Sequence, residues 1–353
     1  METRQVGPVL AVALTLVTIL LGGCITDDID QIRDIFRGNR SSRAFLDWAP
    51  DLIPLEILVN PDRQQVGQAT KFLVVVQNRG KKRSSETSMS ISVGDARSTV
   101  QIPPLYPRSN VTLSIPDAFA LPVGLSKILV EVDPRDNVAE TDEANNRLAT
   151  TVVVGEPFST HTLCWSYGPR AWRIILRIPE DDYRGYQGGD RTISAYSDYL
   201  GYVTPEDRTV RALSEILYFY AAGAGYPRYD EVSFVLSMVQ SLPYTSDEDT
   251  KGDDYPRYPV ETLVEGGGDC EDTSILLASL LRNQNTFNYG CALIVIDDHM
   301  AVGIRGEEGV GGRYFEKSGL RYYYCETTGS GWRIGELPPQ YEGAEIKALV
   351  EVP

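Results

Sequence analysis

The sequence predicts an all-β sandwich followed by an α+β domain. Three observations carry this: seven short β-prone runs between about Asp51 and Val154, apolar residues at helical spacing from Val210, and a triple-glycine loop feeding an apolar helix. At about one to two hundred residues per domain, 353 residues correspond to two or three domains. Lys and Arg total 33 against 49 Asp and Glu, a formal charge of −16, and past the N-terminal segment only Lys81-Lys82-Arg83 forms a basic run. Affinity for phosphate backbones needs clustered cations, so a nucleic-acid partner is excluded. With 42% hydrophobic and 23% charged residues the composition is that of a globular chain. Two His and five Cys leave no basis for a His-rich zinc site, and no cofactor or metal is expected.

Met1 to Gln5 carries Arg4, and Val6 to Leu21 is an uncharged apolar run of 16 residues, shorter than the roughly 20 that a spanning helix prefers. Leu21-Gly22-Gly23-Cys24 follows, and it resembles the lipobox of prokaryotic lipoproteins. The resemblance implies a signal peptide over 1–23, lipidation of Cys24, and an exported chain anchored in the cell membrane on its outer face. Residues 24–50 read as a tether. Asn39-Arg40-Ser41 and Asn110-Val111-Thr112 match the glycosylation acceptor pattern.

Over 51–155 the expected strands are Leu55 to Val59, Lys71 to Gln77, Ser88 to Val93, Thr99 to Ile102, Asn110 to Ile115, Lys127 to Val132 and Ala149 to Val154. Val76-Gln77-Asn78-Arg79-Gly80, Val130-Glu131-Val132-Asp133-Pro134 and Glu140-Thr141-Asp142-Glu143-Ala144-Asn145-Asn146 resemble the CARDB family of Ig-like extracellular modules. The resemblance implies an Ig-like sandwich that serves as a spacer or adhesive unit. The acidic Asp133 to Asn146 stretch has the oxygen chemistry of a calcium site, although a long turn between strands uses the same residues.

The second domain is expected over 156–353. Ala171 to Ile178 is β-prone, and Asp181 to Asp190 reads as a Gly- and Tyr-rich loop. Thr204-Pro205-Glu206-Asp207 offers a capping hydroxyl, a first-turn Pro and two acids, and Val210, Leu213, Leu217 and Tyr220 then mark one buried helical face. A second helix is expected from Glu231 to Ser241, ahead of Pro243.

The chemistry-bearing stretch is Gly266-Gly267-Gly268-Asp269-Cys270-Glu271-Asp272, leading into the helix Ile275 to Leu281. It puts Cys270 on the first turn, where unpaired backbone N–H groups favour a thiolate and a later oxyanion, and where glycines admit a substrate backbone. Asp269, Glu271 and Asp272 oppose the thiolate, and are read as caps, with Asp269 at the N-cap and Asp272 three residues on. The thiol therefore needs a cationic partner. His299 is the only downstream His, and it opens a strand in which Met300, Val302 and Ile304 alternate with His299, Ala301 and Gly303. The small residues beside His299 leave room for a helix start. The orienting acid, if downstream, has to be a Glu, and Glu326 at the exit of Tyr322-Tyr323-Tyr324-Cys325 is favoured over Glu307, Glu308 and Glu316.

These three segments in this order, with Pro259-Val260-Glu261-Thr262-Leu263 and Gly331-Trp332-Arg333-Ile334-Gly335-Glu336, resemble the transglutaminase-like branch of the papain-like cysteine enzymes from about residue 197 to 353. The resemblance implies a papain-like/transglutaminase-like α+β fold with a catalytic triad of Cys270, His299 and Glu326, the last standing where the family commonly has Asp. It implies a surface-anchored thiol hydrolase acting on an extracellular protein or peptide through a thioester. A transglutaminase crosslinking Gln to Lys amines, and a non-catalytic surface binding protein, stay open. Cys291 opens the first strand and Cys325 ends the third, so in an up-down-up sheet they are expected at opposite ends and therefore unbridged. Cys164 and His161 receive no role, and the acids from Asp247 to Asp254 read as a solvated loop.

Overall fold

The computed structural model describes residues 48–61, 64–252, 255–307 and 310–353. The signal peptide, the lipidated Cys24 and nearly all of the tether lie outside the described residues, as do Asp253, Asp254 and Glu308. Ala49–Pro353 is one compact unit.

Its first part is built from β1 (Leu52–Asn60), β2 (Ala69–Asn78), β3 (Thr87–Val93), β4 (Ala96–Ile102), β5 (Asn110–Ser114), β6 (Phe119–Ala120), β7 (Gly124–Val132) and β8 (Arg147–Val154). All seven expected runs fall in these strands, short of Ile115 by one residue. One sheet runs β1-β2-β5 with β6 on β2, and the other begins β4-β3-β7-β8. The two inner faces supply the core: Phe72, Val74 and Val76 alternate along β2 against Met89, Ile91, Ile128 and Val130, all fully buried.

The second sheet does not stop at β8. β9 (Phe158–Tyr167) and β10 (Arg170–Pro179) extend it, in the order β4-β3-β7-β8-β10-β9. β10 runs parallel to β8 with Ile175 opposite Thr150, and Thr150 and Thr151 hydroxyls donate to the Ile175 and Arg177 carbonyls at 2.8 and 3.0 Å. The boundary expected at 155/156 thus falls inside one sheet. The strand β9 escapes the sequence reading although Leu163, Trp165 and Tyr167 alternate into the core.

Part of the expected loop after residue 180 is a helix, α1 (Glu180–Tyr186), whose first turn holds Glu180, Asp181 and Asp182, the charge sign that a helix start favours. Next comes α2 (Arg208–Ala224), capped by Asp207, whose carboxylate accepts from the Thr209 and Val210 N–H groups at 2.8 and 3.2 Å. The expected Thr204 cap instead begins a preceding turn, with Asp207 N–H donating to its carbonyl. Helices α3 (Asp230–Val239), α4 (Asp247–Thr250), α5 (Pro259–Glu265) and α6 (Cys270–Arg282) follow, and then β11 (Cys291–Ile296), β12 (His299–Gly306), β13 (Tyr314–Lys317), β14 (Leu320–Cys325) and β15 (Ile346–Glu351). The last sheet has the order β13-β14-β12-β11-β15, antiparallel throughout.

Helix α6 packs on the Met300, Val302, Ile304 face of β12, where Leu276, Leu277 and Leu280 meet them. The expectation that the helix would approach the His299, Ala301, Gly303 face is corrected: the larger side chains bury more apolar area. The glycine serves its own sheet, since a Cβ at Gly303 would stand 2.8 Å from Tyr322 Cβ and 2.9 Å from Ile294 Cδ1. Cys291 and Cys325 are both free, but not because they lie at opposite ends. They face Ile304 and Val302 of β12, so they share one face and β12 separates them.

Candidate active site

The loop ahead of Cys270 is shaped by three glycines, of which Gly267 and Gly268 are closed in on by the protein itself. Gly266 ends α5 at φ 78°, a Cβ on Gly267 would sit on the Pro243 carbonyl oxygen, and one on Gly268 would lie 2.5 Å from Asp272 Oδ2. Gly267 and Gly268 thus let the Pro243 backbone and the Asp272 side chain close in, rather than a substrate. Asp269 is the N-cap, and Asp272 accepts from its N–H at 3.4 Å.

Asp272 has a second task that the sequence reading missed. It accepts from the Arg257 backbone N–H at 2.6 Å and pairs with the Arg257 guanidinium, which also bonds Asp247 at 2.5 Å, Thr250 at 2.8 Å and Glu265 at 2.9 Å. The Arg257 side chain is 1% exposed, so this buried hub ties α4, α5 and α6 together. Asp247 is therefore not part of a solvated loop: both of its oxygens are taken, one by Arg257 and one by the Tyr255 N–H. Asp247, Asp269 and Glu271 bring ligand oxygens within 4.8 Å of one another. Of these acids, Asp247 is the one paired with the guanidinium, and Asp269 Oδ1 is buried without a hydrogen-bond partner.

The Cys270 thiol is half-buried and donates to Glu271 Oε2 at 3.2 Å, while the Met300 backbone hydrogen-bonds the sulfur. Burial, followed by the Glu271 charge, pushes this thiol well above the usual cysteine range, and the Met300 bond opposes them. The acids flanking it respond in kind, Asp269 being pushed up to about 8 by burial and by Glu271. At rest the thiol is protonated.

His299 follows the two-residue turn Asp297-Asp298, at the mouth of β12 and next to Met300. Its Nε2 lies 3.0 Å from Glu326 Oε2, and the Tyr341 ring stacks on the imidazole with centroids 4.5 Å apart and planes 12° from parallel. Glu326 is 1% exposed and every bond around it holds the anion: Tyr324 OH donates to Oε2 at 2.9 Å, and the Thr328 N–H and hydroxyl donate to Oε1 at 2.9 and 2.6 Å. Burial opposes its charge, but the bonds from His299 and Thr328 prevail and hold the carboxyl below the usual range. Gln240 fixes the backbone there, donating to the Glu326 carbonyl at 2.7 Å and to that of Trp332 at 3.1 Å.

The first turn of α6 is sewn to both strands. Thr273 and Ser274 hydroxyls lie 3.0 and 3.1 Å from the Thr327 hydroxyl, and Ser274 donates to the Met300 carbonyl at 3.2 Å. The turn that carries Cys270 is thereby tied to the strand that His299 opens and to the segment that follows Glu326. Tyr341, Tyr324, Thr328 and Gln240 around them were not singled out from the sequence. Tyr324 and Thr328 were legible at two residues either side of Glu326, where alternation returns them to its face, but nothing local marks Tyr341 or Gln240.

In the sandwich, the acids of the Asp133 to Asn146 turn are engaged within the protein. Asp133 accepts from the Thr87 hydroxyl and Val138 N–H at 2.5 and 2.7 Å, Asp142 pairs with Arg170 at 2.8 Å, and Glu140 accepts from Asn146 at 3.1 Å. The turn's own backbone and neighbours thus engage these carboxylates, while the Oδ1 atoms of Asn145 and Asn146 are buried without a hydrogen-bond partner.

Residues 49–150 match the CARDB family model. Among similar solved structures, the CARDB domain of a Pyrococcus furiosus protein in complex with di-metal ions is 25% identical, covering 30% of this chain and 94% of that one with a TM-score of 0.27. A domain of a protein assigned as a cell surface protein of Methanosarcina acetivorans is 23% identical, covering 31% and 95% with a TM-score of 0.28. The adhesin InvE of Yersinia pseudotuberculosis is 13% identical, covering 51% and 58% with a TM-score of 0.18. No protein of curated function matches the sequence. No helix among the described residues is long and apolar enough to cross a membrane. The sandwich over residues 49–150 is a CARDB domain of Ig-like type, and residues 151–353, which carry the α-helices, follow it.

Proposed function

We propose that this is a cell-surface protein, held by a lipid on Cys24, whose C-terminal part is a transglutaminase-like thiol enzyme acting on protein or peptide amides. The observation that carries the reading is the 3.0 Å bond between His299 Nε2 and Glu326, beside a sulfur bonded to the neighbouring Met300 backbone. With Nε2 committed to the acid, Nδ1 is the nitrogen for proton exchange with Cys270. The thiol gives its proton to His299 as sulfur attacks the carbonyl, the imidazolium protonates the departing amine, and water then cleaves the thioester with His299 as base. Because burial and Glu271 keep the resting thiol protonated, the attack depends on the imidazole taking that proton. A Lys amine in place of water would make the same thioester a crosslink.

A second reading is a non-catalytic surface adhesion or binding protein. The CARDB match over 49–150 favours it, and so does the elevated Cys270 thiol. Labelling with an iodoacetamide probe across pH separates the two. The enzyme reading expects Cys270 labelling that is lost in Cys270→Ser and slowed at least about tenfold in His299→Ala. Labelling that His299→Ala leaves unchanged favours the adhesion reading. A dansylated amine with a Gln donor protein then distinguishes crosslinking from hydrolysis.

A further inference from the structure

Away from the thiol, an open cavity of about 570 Å³ lies where the sandwich meets α2. Its volume is that of a small-molecule site, and junctions between packed parts are where such sites concentrate. β6 and β7 contribute Phe119, Leu125 and Lys127, and α2 contributes Arg208, Arg211 and Glu215. In a chain of net charge −16, three cations on one cavity are out of proportion.

Two of them are already matched. Lys127 pairs with Glu215, and Arg208 grips Glu156 through both terminal nitrogens at 2.9 and 3.0 Å and Asp182 at 2.6 Å. Arg208 is seated over a bare Cα, since a Cβ on Gly124 would come within 2.9 Å of its Nη1. Arg211 is different: it is exposed, and among the described residues its side chain has no ion pair or hydrogen bond. Its charge reaches Lys127, whose ammonium is held below the usual range by burial and then by Arg211. One guanidinium is thus left over in a cavity whose walls also carry Val93, Ala96, Phe119 and Leu125.

We propose that this cavity binds a small monocarboxylate with an apolar body, its carboxylate on Arg211 and its hydrocarbon on Phe119 and Leu125. A single unpaired cation matches one negative charge, and a planar guanidinium suits a carboxylate. The apolar wall excludes a bare inorganic anion as the fitting ligand.

Isothermal titration of the full chain with octanoate, octanamide and inorganic phosphate tests this. Octanoate should bind saturably, octanamide and phosphate each at least about tenfold more weakly, and Arg211→Ala should weaken octanoate about tenfold or more. Arg211→Lys should recover part of the loss. Octanoate that fails to bind, that binds Arg211→Ala as well as the parent chain, or that is matched by phosphate overturns the proposal.

Discussion

The residues around the thiol divide by whether hydrogen bonds overcome burial in setting their protons. Glu326 is held below the usual carboxylate range, so it stabilises the fold above its unfolded pKa of about 4.3, and that contribution disappears as pH falls through the lower folded value. Glu326→Gln should therefore flatten the acid side of a melting-temperature profile, and an unchanged slope below pH 5 would contradict it. Asp269 runs the other way. Raised to about 8, it binds a proton in the folded chain that the unfolded chain has released, so stability falls as pH rises from about 4 toward 8. Asp269→Asn should lose less stability between pH 5 and pH 8 than the parent chain, as read by thermal melts. The two halves of this chemistry were unequally visible in the sequence. Cys270, His299 and Glu326 stood out because scarce residue types fell at the ends of periodic segments, whereas Arg257 lies in an aperiodic loop and acquires its meaning only from the acids that converge on it.

Alternation is legible among the elements, and what it faces is not. The two faces of β12 could be written down from His299 to Ile304, yet which one α6 covers depends on apolar area summed over a whole helix. Gly303 shows the consequence. Read alone, it looked like space left for a helix, and in the fold it is space already used by Tyr322 and Ile294. Gly303→Ala should cost about 1 to 3 kcal/mol in urea unfolding, because its Cβ meets two side chains held within a sheet. The strand β9 was missed for a different reason: Thr and Ser dilute its alternation, and its first half faces no core.

For the molecule as a whole, the strongest departure is the continuity of the second sheet through β8, β10 and β9. Composition shifts at residue 155, and a sequence has no other sign of where a domain ends, but a parallel pairing across that point is a long-range fact. A fragment ending at residue 155 would leave β8 as an unpaired edge, which invites association with other chains. We expect a 49–155 fragment to aggregate at concentrations where 49–179 stays monomeric, as measured by light scattering.

That shared sheet also bears on how the proposed enzyme would meet a substrate. Thr150 is bonded to Ile175 across the junction, and Ala49–Pro353 forms one compact unit. On the proposed thiol-enzyme reading, the sulfur is carried by that unit and not on an arm of its own, so a loose, extended peptide should be engaged more readily than the fixed surface of a folded neighbour.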